Sequence, residues 1–370
     1  MLHHKTRFPF SSQILRMTTL ASVLMAALSS TAGANPRIVV DVRTGRVIEH
    51  EDAFRKWYPA SLTKLMTTYV TFRAIQAGKL SLESPVTMSQ KAAAQPASKM
   101  YFKAGQQLTL DSALKIMLVK SANDIAMAIG ETVGGGSLDT FVGMMNSEAA
   151  RLGMSSSHFI NPNGLPGPGQ YTTARDLAVL AVALRREFPQ FAGYFALEGF
   201  TTGQKAYPNI NMLIGRFDGA DGMKTGFICA SGFNQISSAT RDGRTVVSVV
   251  LGTSSLAART EDSANLLQKA FSTAPGGNLP SLAALAPYGE NLDQVVDVSA
   301  DICNPKAAQV RSETRDDAGR MIIKSPFVHE LTRPLEFSYA GLIPGTEKPV
   351  ALKKGELGNV PIPMPRPTIN

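Results

Sequence analysis

The sequence predicts an α+β protein in which an antiparallel sheet is flanked by helices and carries an inserted all-helical subdomain. Two observations lead to this fold class. Strand-like segments lie near both ends of residues 36–275, and helical patterns fill the stretch between them. The chain has 370 residues, of which 44% are hydrophobic. This is enough for roughly two domains with a substantial core.

The first elements are a predicted hairpin and a helix. Residues 37–42 are rich in β-branched side chains, a turn follows at Gly45, and residues 46–50 return as a second strand. A helical pattern over residues 61–77 comes next, and Gly78 ends it.

The middle of the chain is predicted to be helical. The pattern indicates helices over residues 110–119, 125–133, 137–152 and from Thr172 or Thr173 to about Glu187. We expect Ser137 to cap the third of these helices and Thr172 or Thr173 to cap the fourth, because a side-chain oxygen there accepts an otherwise unpaired backbone N–H.

Strands return after these helices. Residues 222–228, 232–239 and 244–251 predict three consecutive strands, with a tight turn at Asp242-Gly243. Residues 256–271 predict the last helix of this region.

Beyond residue 275 the composition changes. We expect a linker and a small β-containing region over residues 276–345, with strand-like runs at 321–328 and 335–340. Residues 346–370 are predicted to be a disordered Pro-rich tail. Proline removes backbone donors and clashes with the preceding turn, so residues 360–365 cannot form a helix.

The first 34 residues have the features of a cleavable signal peptide. Basic residues precede a short apolar run, and Ala32-Gly33-Ala34 fits a cleavage site. The alternative is an uncleaved membrane anchor, but the apolar run is shorter than the roughly 20 residues that span a bilayer. We therefore expect a periplasmic or extracytoplasmic protein.

The charge, the cysteines and the absence of metal-binding spacing limit the partners and cross-links that we expect. The formal net charge is +8, which reflects either a peripheral association with an anionic cell wall or membrane surface or only a solvated surface. The basic residues are spread out without interleaved aromatics, so we expect no nucleic-acid partner. Cys229 and Cys303 either form a disulfide, which an oxidising compartment permits, or remain two separate buried thiols. No metal-binding spacing occurs.

Three short motifs carry the predicted chemistry. They are Ser61-Leu62-Thr63-Lys64, Ser121-Ala122-Asn123 and Lys224-Thr225-Gly226, in this order. The order is more specific than any single motif. Ser112-Ala113-Leu114-Lys115 also matches the first pattern, but we expect it to be an ordinary helix start.

The first motif supplies a nucleophile and a base. Three residues apart on a helix, Ser61 and Lys64 lie on one face. Lys64 can accept the hydroxyl proton only when its amine is neutral, and being half neutral at pH 7 needs a pKa roughly 3 units below the reference value. Burial and a second cation at Lys224 would both lower this pKa.

The other two motifs supply substrate contacts. Ser121 can relay a proton, and Asn123 can orient Lys64 and hold a substrate amide. Thr225 adds a hydroxyl beside the cation of its motif, and Gly226 allows close approach of substrate to an edge strand. The backbone N–H of Phe227, paired with that of Ser61, would form an oxyanion hole.

With these motifs the chain resembles the D-alanyl-D-alanine carboxypeptidases, low-molecular-mass penicillin-binding proteins of the S11 peptidase type, over roughly residues 36–275. The resemblance also includes Pro59-Ala60 before the first motif, Asp124 after the second, the segments 158–165 and 173–177, and Asp221-Gly222-Met223 before the third. It implies the penicillin-binding protein/β-lactamase-like transpeptidase fold and a serine D,D-peptidase catalytic domain over residues 35–275.

The resemblance also implies an activity. Ser61 would be the nucleophile and Lys64 its base, with Ser121 and Asn123 as the second motif and Lys224 and Thr225 facing the substrate carboxylate. The substrates would be peptidoglycan stem peptides, from which the terminal D-Ala is released through an acyl-enzyme. β-Lactam antibiotics would acylate the same serine, and no metal or organic cofactor is implied.

The chain departs from the family's pattern in two places. Ile228 stands where many members have a hydroxyl residue, which weakens one contact to the substrate carboxylate. Many members also end in a β-rich domain and an amphipathic membrane-binding helix, whereas this tail is rich in proline.

Three other functions are alternatives, and the first of them would use the same residues. A D,D-endopeptidase would cleave peptidoglycan cross-links. A class A β-lactamase would need a glutamate after the second motif, and residues 149–175 contain no Asp or Glu. A wall-binding protein would have kept the fold without turnover.

Overall fold

A five-stranded antiparallel sheet organises the computed structural model, which describes residues 1, 35–274, 276, 278–312, 315–316, 319 and 321–346. Its strand order is β2-β1-β9-β8-β7. These strands are β1 (Arg37–Asp41), β2 (Val47–Glu51), β7 (Ala220–Ile228), β8 (Gly232–Arg241) and β9 (Arg244–Thr253). Strands from both ends of residues 35–275 therefore meet in one sheet, and the predicted fold class is confirmed.

Two small sheets accompany the main one. Strands β3 (Pro85–Thr87) and β4 (Gln107–Thr109) form an antiparallel pair, and β5 (Gly199–Thr201), β6 (Ala206–Pro208) and β10 (Ser338–Tyr339) form a three-stranded sheet in the order β10-β5-β6. Strands β3 to β6 were not predicted, because a strand of three residues is too short to show an alternating pattern.

The six predicted helices are present among the described residues, together with three short helices that were not predicted, at Gln90–Ala93, Ser299–Ile302 and Pro305–Ser312. They are α1 (Thr63–Gln76), α2 (Gln90–Ala93), α3 (Leu110–Lys120), α4 (Asn123–Val133), α5 (Leu138–Arg151), α6 (Ala174–Glu187), α7 (Leu256–Ser272), α8 (Ser299–Ile302) and α9 (Pro305–Ser312). Short 3₁₀ turns at Ala60–Leu62 and Pro189–Tyr194 precede α1 and follow α6.

Side-chain oxygens cap the N-termini of two of these helices, as predicted. Ser137 accepts a hydrogen bond from the backbone N–H of Thr140 at 3.2 Å and so caps α5. Thr173 accepts one from Asp176 at 3.1 Å and caps α6. The cap of α6 is thus Thr173 rather than Thr172.

The two faces of the sheet are covered by different helices. Along β1, Ile38 and Val40 join the large core that contains the inserted helices, while Val39 joins a smaller core with residues of α7. Alternate strand residues point to opposite faces, so this division follows from the period of two.

Helix α4 lies at the centre of the helical subdomain. It is surrounded by α1, α2, α3 and α5. All of its residues from Asn123 to Gly130 are buried, polar and apolar alike. Because this helix is buried on every side, it holds its first residue rigidly against α1.

Residues 278–312 and 321–346 run along the surface of the rest of the described protein, and we call them the C-terminal strap. Val47 donates its backbone N–H to Pro280 at 2.8 Å, and Val298 donates to Ala230 at 3.2 Å. Further along, Ile343 donates to Gln107 at 2.8 Å. The strap therefore contacts three separate parts of the molecule.

Of the two strand-like runs predicted within the strap, residues 321–328 form no strand and residues 335–340 contain one short strand. Residues 321–328 contain only an isolated bridge from Met321 to Arg315, and the run 335–340 contains only the two-residue strand β10, which pairs parallel to β5. These runs have strand-like composition, but they follow the surface of the helices and β5, so few of their backbone groups have a strand to pair with.

The structure resolves one alternative that the sequence left open. Cys229 and Cys303 form a disulfide with their Cα atoms 5.6 Å apart. The predicted signal peptide and the tail beyond residue 346 lie outside the described residues. Among those that are described, no helix combines the length and the hydrophobicity needed to cross a bilayer.

Candidate active site

Ser61 and Lys64 stand at the start of α1. Ser61 lies in the 3₁₀ turn Ala60–Leu62, and Lys64 lies in the first turn of the helix. The two side chains meet on one face, with Lys64 Nζ 3.1 Å from Ser61 Oγ. The spacing of three residues therefore has the consequence that the sequence predicted.

Lys64 is enclosed by polar neighbours. Its side chain is fully buried, and Nζ donates to Asn123 Oδ1 at 2.8 Å and to the Asn163 carbonyl at 2.6 Å. Both of these atoms are acceptors only. A neutral amine has two N–H donors and one lone pair, so the lone pair is left for the Ser61 hydroxyl.

The electrostatic surroundings favour this neutral form. Burial, and secondly the nearby cation of Lys224, hold the pKa of Lys64 well below its ordinary value of 10.5, although Asp124 opposes them. Losing hydration disfavours the ammonium form, and a like charge adds to the effect.

The 3₁₀ turn Ala60–Leu62, which carries Ser61 and which we call the nucleophile turn, depends on a close backbone contact with Gly164. Gly164 has a φ of +84°, and a Cβ added there would lie 1.8 Å from the Ala60 carbonyl oxygen. Only glycine fits this position. The contact holds the segment around Asn163 against the nucleophile turn, which places the carbonyl that binds Lys64.

The second motif lies between two helices. Ser121 ends α3 in the left-handed conformation, with φ of 62°, and Asn123 begins α4. Ser121 Oγ is buried without a hydrogen-bond partner among the described residues. Asn123 contacts Lys64 through Oδ1 and donates through Nδ2 to Pro96 at 3.1 Å.

The third motif lies on β7, an edge strand of the main sheet. A Cβ added to Gly226 would lie 3.2 Å from the backbone nitrogen of Ser61. The peptide between Gly226 and Phe227 thus runs directly past the nucleophile, which is where the second oxyanion donor is expected.

Lys224 lies beneath the strand rather than on the cavity surface. It is 2% exposed and donates to the Thr225 carbonyl at 2.9 Å. Burial, and secondly the cation of Arg259, lower its pKa to about 7. The third motif therefore contributes a second buried amine whose charge acts on Lys64.

A cavity of about 390 Å³ unites the three motifs. Its walls include residues of each motif and several that the sequence analysis did not identify as site residues. The lining residues are Ser61, Ala97, Ser98, Ser121, Asn123, Asn163, Gly164, Leu165, Ile210, Thr225, Gly226, Phe227, Ile228, Phe233, Leu256 and Arg259. A larger groove lies elsewhere, between residues 212–216 and the strap, and none of the motif residues line it.

Arg259 is the most informative residue that sequence reasoning missed. It lies in the first half of α7 with 1% exposure, and its Nε and Nη2 atoms have no hydrogen-bond partner among the described residues. Burial lowers its pKa. A buried guanidinium without an acceptor is costly, so a site that holds one is prepared for an anion.

The sequence gives little indication that Asn163 and Arg259 belong to the site. Asn163 falls within the segment 158–165, but a backbone carbonyl that binds an amine has no sequence signature. Arg259 is a lone arginine in a helix with an apolar pattern, and an arginine in such a helix is usually found on its solvent-facing side. Placing either residue near Ser61 requires the packing of α7 and of the loop at 161–165.

A nucleophilic serine hydrogen-bonded to a buried lysine, beside an edge strand and a helical subdomain, defines a serine acyl-transfer protein that has no histidine base. Comparison with known proteins agrees with this class. The profile of the family described as Peptidase_S11, D-alanyl-D-alanine carboxypeptidase, matches residues 23–255. The chain belongs to this family.

Relatives in sequence carry the family's name. The chain is 36% identical over 241 residues to D-alanyl-D-alanine carboxypeptidase DacC of Escherichia coli K12, a match that covers 63% of this chain and 60% of DacC. It is 32% identical over 288 residues to DacA of the same organism, which covers 71% of each. The chain thus spans about 60% of the length of DacC.

Solved structures share the fold. The carboxypeptidase DacD from Francisella tularensis matches with a TM-score of 0.62 and 35% identity over 65% of this chain and 70% of that one. Penicillin-binding protein D2 from Listeria monocytogenes in its ampicillin-bound form matches with a TM-score of 0.57 and 29% identity over 64% of this chain and 97% of that one.

Proposed function

We propose that this protein is a serine-type D-Ala-D-Ala carboxypeptidase that removes the terminal D-alanine from peptidoglycan stem peptides. The observation that carries the proposal is the contact of 3.1 Å between Ser61 Oγ and the fully buried amine of Lys64. Membership of the S11 family gives the substrate class, and the export signal predicted over residues 1–34 would deliver the enzyme to the periplasm.

The first half of the reaction follows from the contacts of Lys64. The Ser61 hydroxyl gives its proton to the amine lone pair as Oγ attacks the carbonyl carbon of the D-Ala-D-Ala bond. The oxyanion that forms accepts hydrogen bonds from the backbone N–H groups of Ser61 and Phe227. Each such donor is typically worth about 2.7–4 kcal/mol.

The second half needs a proton on the leaving amine. Ser121 Oγ is buried without a partner among the described residues, and its residue lines the same cavity, so it can pass the proton from Lys64 to the departing D-Ala. Water then attacks the carbonyl carbon of the acyl-enzyme while Lys64 accepts its proton. Lys64 returns this proton to Ser61 Oγ as the ester bond breaks and the shortened peptide leaves. The carboxylate of the departing residue is expected at Thr225 and Arg259, with the charge of Lys224 behind them.

We also propose that penicillins acylate Ser61 and that the resulting penicilloyl ester is hydrolysed slowly. None of the residues that line the cavity in the described part of the chain is an aspartate or glutamate. A water approaching the penicilloyl ester therefore lacks the carboxylate base of a class A β-lactamase, and the ester should persist. The ampicillin-bound form of the Listeria relative is in keeping with this expectation.

Digestion of purified muropeptides by the wild-type protein and its Ser61→Ala variant tests the proposal. We expect free D-Ala and shortened monomers from the wild type, and neither product from the variant, because no other group can replace the nucleophile. Loss of cross-linked dimers without release of D-Ala would instead identify a D,D-endopeptidase. Rapid turnover of fluorescent penicillin without retained label would identify a β-lactamase.

A further inference from the structure

We propose that a surface next to the mouth of the active site binds a neighbouring length of the anionic glycopeptide polymer whose stem peptide is being cut. This inference rests on the proposed function and adds a second binding surface to it. We call the surface the Lys–Tyr surface, and it consists of Lys120, Lys205, Tyr207 and Tyr339.

Two cations in this surface share one aromatic ring. Lys120 Nζ lies 5.0 Å and Lys205 Nζ 5.4 Å from the centroid of the Tyr207 ring. The ring itself is held in place by Phe200, which stacks on it with centroids 4.8 Å apart and planes inclined by 18°. Cations attracted to a fixed ring occupy defined positions instead of sweeping through solvent.

No carboxylate of the described residues neutralises the charge of these two lysines. In the described part of the chain, no carboxylate oxygen lies within 4.0 Å of either ammonium group. Since both lie near the same centroid, they are no more than about 10 Å apart, which is close to the Debye length of about 8 Å at physiological ionic strength. An anion placed between them would relieve their repulsion.

Exposed aromatic surface continues beside the lysines. Tyr339 on β10 is 59% exposed and lies against Gly203 in the turn between β5 and β6. Aromatic rings pack against the apolar faces of sugar rings, while ammonium groups pair with carboxylates. A chain of sugars that carries acidic peptides offers both kinds of group at once.

The position of the surface connects it to the catalytic cavity. Lys120 directly precedes Ser121, and its carbonyl accepts a hydrogen bond from Ser98 Oγ at 3.0 Å. Ser98 and Ser121 both line the cavity, as does Ile210, which lies two residues beyond β6. A cavity of about 390 Å³ holds only the end of one stem peptide, so the rest of the polymer must lie outside, where the Lys–Tyr surface begins.

Binding is tested first, in a Ser61→Ala background that cannot turn over the polymer. The double variant Lys120→Gln/Lys205→Gln is compared with Lys79→Gln/Lys324→Gln, which removes the same charge from two exposed lysines elsewhere. Helix α1 alone separates Lys79 from the nucleophile by about 21 Å. In co-sedimentation with purified sacculi, we expect the first pair to raise Kd about fivefold to tenfold, from two surface contacts of ordinary strength, and the control pair to raise it less than twofold.

Turnover is tested next, with Ser61 intact. The Lys120→Gln/Lys205→Gln enzyme should release D-Ala from sacculi several-fold more slowly than wild type at low substrate, while kcat/KM for diacetyl-L-Lys-D-Ala-D-Ala stays within twofold. Equal sacculus binding by both double variants would overturn the inference, and so would an equal loss on the soluble peptide. Loss of binding to phosphatidylglycerol vesicles but not to sacculi would also overturn it and identify a membrane contact.

These results separate the two levels of the proposal. If the wild-type protein releases no D-Ala from the soluble peptide, the proposed function fails. If it does so and the two double variants bind sacculi alike, the function stands and only the Lys–Tyr surface is refuted.

Discussion

Replacing Arg259 by glutamine should remove recognition of the substrate carboxylate while leaving the chemistry at Ser61 intact. The guanidinium lines the cavity, is 1% exposed, and has two nitrogen atoms without partners among the described residues. A hydrogen bond to a charged group contributes about 1.5–3 kcal/mol. Loss of one such bond corresponds to about 1.5–3 kcal/mol, which lowers kcat/KM by about 10- to 150-fold.

The assay pairs two substrates that differ only at the carboxylate. Release of D-alanine from diacetyl-L-Lys-D-Ala-D-Ala is compared with release of D-alaninamide from the corresponding C-terminal carboxamide. We expect Arg259→Gln to lower only the first rate, and the amide rate to stay within about twofold, because the amide gives the guanidinium no charge to pair with. Arg241→Gln, at a site on the surface near Asp218, is the control.

Stability provides a second check on Arg259. Removing a buried cation that lacks an acceptor should leave the melting temperature unchanged or raise it. The Arg259→Lys variant keeps the charge without the paired donors, so we expect it to recover part of the lost activity on the carboxylate substrate. If Arg259→Gln lowers both substrate rates equally, or lowers stability while Arg259→Lys restores it, the arginine serves the fold and the reasoning is refuted.

Three further predictions concern the same site and its support. For kcat/KM on carboxylate substrates, we expect a bell-shaped pH profile. The value should rise as Lys64 loses its proton, and it should fall above about pH 7 as Lys224, whose pKa is lowered to about 7, loses its charge. A profile that falls monotonically with pH would contradict the role of Lys64. The Gly226→Ala variant should acylate about 10- to 100-fold more slowly with penicillin, because its Cβ would lie 3.2 Å from the Ser61 nitrogen and displace an oxyanion donor; an unchanged rate of labelling would place the oxyanion elsewhere. The Cys303→Ser variant removes the disulfide to Cys229, which closes a loop with a sequence separation of 74 residues. By the chain-entropy relation, the variant should lose about 4.5 kcal/mol of its free energy of unfolding. An unchanged melting temperature by calorimetry would show that the strap holds without the disulfide.

Much of this site could be predicted because its parts are local. The spacing of Ser61 and Lys64 fixes their shared face through the helical repeat, and the hydrogen-bonding side chains of Ser137 and Thr173 mark helix starts in the sequence itself. The alternation of β-branched residues likewise indicates the strands of the main sheet. In each case, a few neighbouring residues determine the local structure.

The parts that could not be predicted depend on packing between distant segments. The Asn163 carbonyl reaches Lys64 because Gly164 lets its loop lie on the nucleophile turn, and this contact joins segments about 100 residues apart. Arg259 enters the cavity because of the way α7 packs on the sheet. The path of the C-terminal strap follows surfaces that exist only after the remainder has folded.

Trp57 shows how the strap and the active site are mechanically connected. Its Nε1 donates to the Ser231 carbonyl at 2.8 Å, in the turn between β7 and β8, and its backbone pairs with Thr172 on one side and Val296 of the strap on the other. The next residues along the chain lead into the nucleophile turn. The same hairpin turn carries Cys229, which the disulfide ties to the strap. One buried indole and one covalent bond therefore join the strap to the turn between β7 and β8 and to the segment before Ser61, although none of the strap's described residues lines the cavity.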